Sequence, residues 1–254
     1  MANNNIAFVS MKKLLLLVVL SLSVKLSDAQ FFGQIPEPTK YDAAKVIDPE
    51  YGITMYEKLN FYTGGDSVRN DKKGYACQGW MEDVYLTGTT IHKGFYEDGH
   101  LKTYKNFYPN GNVERVFKLL NEFKKSSLQL FFPDGKMKSD IVYYDGNPQI
   151  WTDYYQNGQI EYTEENSKNM EYLINRKSYA EDGKPQELFE LIDPKKKIYS
   201  KKEYYESGTL KAEGTMIYNP AVIDYQKDGT WKEYDEKGNL TATEKWVKGE
   251  KVSG

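Results

Sequence analysis

Two histidines, one cysteine and a scatter of carboxylates are the side chains of this 254-residue sequence best suited to chemistry. His92 and His100 sit eight apart near a turn, with no cysteine at ligand spacing, so they make no zinc site and read as surface or edge histidines. Cys77 has no second cysteine to bridge and lies far from the amino-terminal segment, so it is not an acylated anchor; it reads as a small buried hydrophobe. A glycosidase needs only two carboxylates, but Glu82-Asp83 and Glu164-Glu165 are not pairs that a flat sheet closes into an acid and a base. Gly135-Lys136 and Gly183-Lys184 stop short of a phosphate loop, and their lysines point to water. No Gly-x-Ser-x-Gly elbow and no His-Glu-x-x-His occurs. No catalytic, cofactor-binding or metal residue is assigned, no cofactor is expected, and the chain reads as a protein that binds.

What recurs instead is a phrase of two aromatics, a turn ending in glycine, and an aliphatic residue. It runs Phe95-Tyr96-Glu97-Asp98-Gly99-His100-Leu101, then Phe107-Tyr108-Pro109-Asn110-Gly111-Asn112-Val113, and returns at Phe131-Phe132, Tyr154-Tyr155 and Tyr204-Tyr205. The turn glycines are 88, 99, 111, 135, 146, 158, 183, 208, 229, 238 and 249, spaced by about a dozen residues or double that. Doubled gaps mark turns that have lost their glycine. A fixed period of this kind means strand, turn, strand, turn. Asn-Gly and Asp-Gly favour the positive φ of tight hairpins. In Leu210-Lys211-Ala212-Glu213-Gly214-Thr215-Met216 the apolar and small residues share one face, the pattern of a sheet wet on the other side.

Adjacent strand residues point to opposite faces, so one ring of each aromatic pair enters the packed side and the other lies outside. With 22 tyrosines in the chain, the outer rings make a ladder. Cross-strand pairs of this kind stabilise a sheet by roughly 0.2–1 kcal/mol each. They also form a sticky strip for a partner strand, peptide or sugar. The candidate binding residues are Tyr96, Tyr108, Tyr144, Tyr155, Tyr205, Trp231 and Tyr234.

The elements that position this strip follow from the rest of the chain. Lys12-Lys13, the apolar run Leu14 to Leu22, and Ser27-Asp28-Ala29 have the order of a secretory signal peptide over residues 1–29, with cleavage near Ala29-Gln30. Met11 offers a second start. Cleavage removes three lysines and one aspartate, taking the formal charge from −3 to −5, which gives no electrostatic footprint for nucleic acid or anionic lipid. The lysines between Lys195 and Lys202 read as a solvated loop and strand edge. Residues 30–58, with Pro36, Pro38 and Pro49, read as an extended leader, and residues 59–84 as an N-terminal β cap. Residues 85–254 then form the hairpin repeats, so the expected fold is all-β, an elongated antiparallel hairpin array. Pro185 and Pro194 mark irregular or edge geometry between Asn166 and Lys202.

The phrase resembles the bacterial MORN-repeat variant family, whose members carry Tyr-Tyr-x-x-Gly-x-Leu phrases. Asp228-Gly229-Thr230-Trp231-Lys232-Glu233-Tyr234-Asp235-Glu236-Lys237-Gly238-Asn239-Leu240 is its clearest instance, and the resemblance spans roughly residues 79–250. It implies consecutive hairpins in one sheet and partner binding without catalysis. Many bacterial members carry an antitoxin-like label. The expectation is an exported protein-binding or scaffold module at the cell envelope: periplasmic, outer-membrane associated or secreted, with no transmembrane span in the mature chain. The alternatives are an antitoxin- or immunity-type inhibitor of one dedicated partner, and envelope-glycan binding. The oligomeric state is left open by the unpaired ends of such a sheet.

Overall fold

A computed structural model describes residues 38–121 and 124–252, so the expected signal peptide lies outside the described residues. A three-residue strand β1 (Thr39–Tyr41) leads into a single helical turn α1 (Ala43–Val46), capped by Asp42 through the Ala44 amide. Two 3-10 turns follow at Glu57–Leu59 and Phe61–Thr63. Then come β2 (Gly79–Tyr85), β3 (Thr90–Glu97), β4 (His100–Phe107), β5 (Val113–Asn121), β6 (Lys125–Phe131), β7 (Met137–Tyr144) and β8 (Asn147–Tyr154). The second half holds β9 (Ile160–Asn166), β10 (Leu173–Tyr179), β11 (Pro185–Asp193), β12 (Ile198–Tyr204), β13 (Leu210–Asn219), β14 (Asp224–Tyr234), β15 (Leu240–Val247) and β16 (Glu250–Val252).

All of these strands make one open sheet in strict sequence order, β1 to β16. Only β1 runs parallel to its neighbour; every later pair is antiparallel. The expected all-β hairpin array is therefore what the chain forms.

Its turns fall on two rims with different chemistry. On one rim the turn glycines are Gly88, Gly111, Gly135, Gly158, Gly183, Gly208 and Gly238, each with positive φ. In the Gly111 turn, the glycine amide donates to Tyr108 O at 2.9 Å and the Tyr108 amide to Asn112 O at 2.8 Å. The partner register then slips by one residue, always between the fifth and fourth residues before the glycine, as at Asn106/Phe107, Asp153/Tyr154 and Glu233/Tyr234. This is a three-residue hairpin loop closed by a glycine bulge.

Here the residue before the glycine is not in the positive-φ region. Asn110, Asp134, Asn157 and Asp182 instead each accept the amide two residues on through the side-chain oxygen. The positive-φ role expected for Asn and Asp holds on the other rim, where Asp98 (φ 49°) and Asp145 (φ 50°) precede their glycines. That rim is also where glycines are missing: Met170, Lys197 and Ile223 take positive φ in their stead, which accounts for the long gaps from Gly158 to Gly183, Gly183 to Gly208 and Gly208 to Gly229.

One face of the sheet carries the core. Residues 41–62 fold back over it, and Ile53, Tyr56 and Leu59 pack onto Tyr85, Ile91, Tyr96, Leu101, Tyr104 and Phe117, reaching Leu128 and Ile141. Residues 41–62, taken from the expected leader and the start of the expected cap, thus cover β2–β7, while Gly79–Tyr85 at the end of that cap is the strand β2 itself. Cys77 is buried in the same cluster. From β8 onward nothing among the described residues covers this face. A second, smaller cluster forms there from its own strand residues, Leu173, Phe189 and Tyr199.

Candidate functional site

The cover is pinned by a buried polar network. Asp83, with no exposed area, accepts both Arg69 guanidinium nitrogens, at 2.6 and 2.9 Å, and the Tyr56 hydroxyl at 2.8 Å. Next to it His92, also fully buried, stacks on Tyr56 at 3.7 Å. Its ring nitrogens lie 2.8 Å from Asn106 Oδ1 and 2.9 Å from the Tyr96 hydroxyl. The surface or edge position expected for this histidine is corrected: alternation puts it opposite Asp83 on the core face. Burial pushes its pKa down to about 4. The strand alternation also separates the candidate carboxylate pairs, since Asp83 lies on the core face while Glu82 bonds Thr90 on the other.

The register of each hairpin places the residue five before its rim glycine on the core face. Along the sheet this position reads Asp83, Asn106, Leu130, Asp153, Ser178, Glu203 and Glu233. The first three meet the cover: Asp83 holds Arg69 and Tyr56, Asn106 donates to Ile53 O at 3.2 Å, and Leu130 packs on the core cluster. The cover's last hold is Lys138 Nζ on Glu50 O, at 2.9 Å. Beyond that point the face is open.

Aromatic rings and alternating charges line the open half. Trp151 meets Tyr162 edge-on at 5.6 Å, Arg176 lies over Phe189, and Phe189 stacks on Tyr199 at 4.8 Å. Lys201 bridges Glu203 at 2.8 Å and Glu187 at 3.2 Å, and its hydrogen bond holds the Glu203 carboxyl below its ordinary pKa. Lys227 sits between the rings of Trp231 and Trp246, at 4.3 and 4.9 Å. Two hollows open here beside the glycine rim. One of about 530 Å³ is floored by Phe132, Trp151 and Tyr155 and edged by Asp153, Glu161 and Glu181. The other, of about 390 Å³, lies among Tyr205, Lys211, Trp231 and Glu233.

The seven aromatic candidates scatter over this frame. Tyr96 is fully buried beneath Arg69 and so is not on any outer strip. Tyr155 lines the first hollow, and Tyr205, Trp231 and Tyr234 line the second. Tyr108 borders the cover, and Tyr144 stands apart at the opposite rim. Three of them use their hydroxyls to tie one rim turn to the next. Tyr108 donates to Phe131 O, Tyr155 to Tyr179 O and Tyr205 to Tyr234 O, at 2.8 to 2.9 Å. Tyr85 starts the series by donating to Phe107 O. Trp151, Asp153, Arg176, Lys201 and Lys227 were missed as site residues. Their signal was in the sequence, as face positions counted back from each rim glycine.

An open hairpin array, with half of one face covered by its own chain and half uncovered among the described residues, defines a repeat protein. The model of the MORN repeat variant family matches residues 200–218 and 227–247, so the strands β12 to β15 carry MORN-variant repeats. Such repeats are generally protein- or membrane-binding modules and typically non-catalytic. No curated protein matches the chain. Among the described residues no helix is long and apolar enough to cross a membrane.

Proposed function

We propose that this chain is an exported, non-catalytic module that binds a protein partner at the cell envelope through the open half of its core face, β8 to β15. The observation that carries the reading is the ending of the cover at Glu50–Lys138 while the aromatic, charge-lined face runs on. Proteins bury such faces, and rings backed by fixed charges give both contact area and orientation. Export rests on the lysine pair, apolar run and small residues of positions 12–29.

The test is affinity capture from the envelope fraction with residues 30–254 as bait. A second bait carries Glu164→Lys and Lys201→Glu on the open face, and a third carries Lys177→Glu on the opposite face. One stoichiometric protein held by the first and third baits and lost by the second is the expected result. Equal capture by all three, or retention only on peptidoglycan or polysaccharide, overturns it.

A further inference from the structure

We infer that the hollow at Asp153 receives an arginine or lysine side chain carried on an extended segment of the partner, repeating in trans what Arg69 does in cis. This rests on the protein-binding reading above and specifies its chemistry. The cis precedent is complete in the structure. Arg69 comes from the segment joining the cover to β2, its amide held by Gly99 O at 2.9 Å; it makes a two-pronged ion pair with Asp83, bonds the Tyr96 hydroxyl at 3.2 Å, and has its guanidinium carbon 5.2 Å from the Tyr96 ring centre. A carboxylate on the core face beside an aromatic ring is thus already used by this sheet to hold a passing chain.

Asp153 occupies the repeat position of Asp83, five residues before its rim glycine and on the same face. Its Oδ1 is held by Ser139 Oγ at 2.6 Å and by Trp151 Nε1 at 2.7 Å, which fixes the carboxylate in place. Among the described residues nothing donates to its Oδ2. The rings of Phe132, Trp151 and Tyr155 floor the hollow, and the exposed Glu161 and Glu181 stand at its mouth. The one lysine in its wall, Lys138, is turned to Glu50 O. Three carboxylates face a space whose wall lysine is engaged elsewhere, so the hollow attracts a cation.

Two further observations choose a polypeptide as the carrier. The hollow adjoins the end of the cover and continues the track along which residues 41–62 already lie. The next face position with a carboxylate, Glu203, is neutralised by Lys201, so attraction for a basic side chain concentrates at Asp153.

The experiment is selection of displayed linear ten-residue peptides on the immobilised protein, followed by affinity measurement of the enriched peptides on Asp153→Asn. A second variant combines Glu161→Gln and Glu181→Gln. Asparagine keeps the oxygen that accepts from Ser139 and Trp151, so the fold is retained, and a thermal melt verifies this. The expected result is enrichment of peptides with arginine or lysine between apolar residues. Their affinity drops tenfold or more on Asp153→Asn and a few-fold on the double variant. Peptides without a basic residue that bind all three proteins equally, but lose to Glu164→Lys with Lys201→Glu, overturn this inference and leave the open face as a binding surface. No enrichment, or binding insensitive to every variant of the face, overturns both.

Discussion

Removing the hydroxyls of Tyr108, Tyr155 and Tyr205 decides whether those rings hold the array together or serve its partner. Each hydroxyl donates to the carbonyl of the fourth residue before the next rim glycine, at 2.8 to 2.9 Å. A neutral hydrogen bond of this kind contributes about 0.5–1.5 kcal/mol, and the three tyrosines are only half-buried, so water can satisfy the freed carbonyls. Each Tyr→Phe change is therefore expected to cost about 1 kcal/mol. Tyr85 is 1 % exposed, so Tyr85→Phe leaves the Phe107 carbonyl shielded and costs more, about 1–3 kcal/mol. The sites are a hairpin or more apart and share no partner, so the triple variant sums to about 3 kcal/mol. Urea denaturation followed by tryptophan fluorescence, with peptide binding measured on the same samples, reads both roles. A triple variant within about 0.5 kcal/mol of the parent would refute the latch, and lost binding at unchanged stability would return the hydroxyls to the ligand. The converse change is informative too. Phe132 has no hydroxyl at this position of its turn, so Phe132→Tyr, directed at the Tyr154 carbonyl, is expected to add up to about 1 kcal/mol.

Acid should loosen the cover through His92. Its pKa falls from 6.5 to about 4 on folding, so between those values the unfolded chain binds more protons. Stability is then full above pH 6.5 and is lost as pH falls toward 4, by on the order of 3 kcal/mol. Burial raises Glu114, which acts in the opposite sense, so the check is the difference between parent and His92→Gln in denaturation midpoints from pH 7 to 4. Ile223 holds φ +54° with its side chain 80 % exposed, and Ile223→Gly should raise the thermal midpoint, worth about 1 kcal/mol. Gly214 lies under the indole of Trp231, where an added Cβ would come within 2.4 Å of the ring, so Gly214→Val should cost about 1–3 kcal/mol and alter Trp231 fluorescence.

The hairpins were readable because every signal for them is local. Glycine spacing, aromatic pairs and period-two alternation each act within one turn and its two strands, and the sequential order of β2 to β16 needs no long-range pairing to specify it. The cover was not readable, because its contacts join residues far apart. Ile53 meets Asn106, and Glu50 meets Lys138, with no periodic pattern in residues 41–62 to announce them. That gap also misplaced the chemistry. His92 looks solitary in the sequence and is enclosed only because Tyr56 stacks on it from the cover. The aromatic pairs drew attention to the rings nearest the turns, whose hydroxyls serve the rim, and away from the face positions one and two steps further back. Those positions carry Asp83, Asn106, Trp151, Asp153, Lys201 and Trp231, of which only Trp231 stood among the candidates, and they vary from repeat to repeat while the turn phrase stays the same. In an array whose fold rests on the repeated residues, the residues that differ on the shared face are free to discriminate. Asp83 shows what such a position does once a chain lies across it, and Asp153 has the same place without the chain.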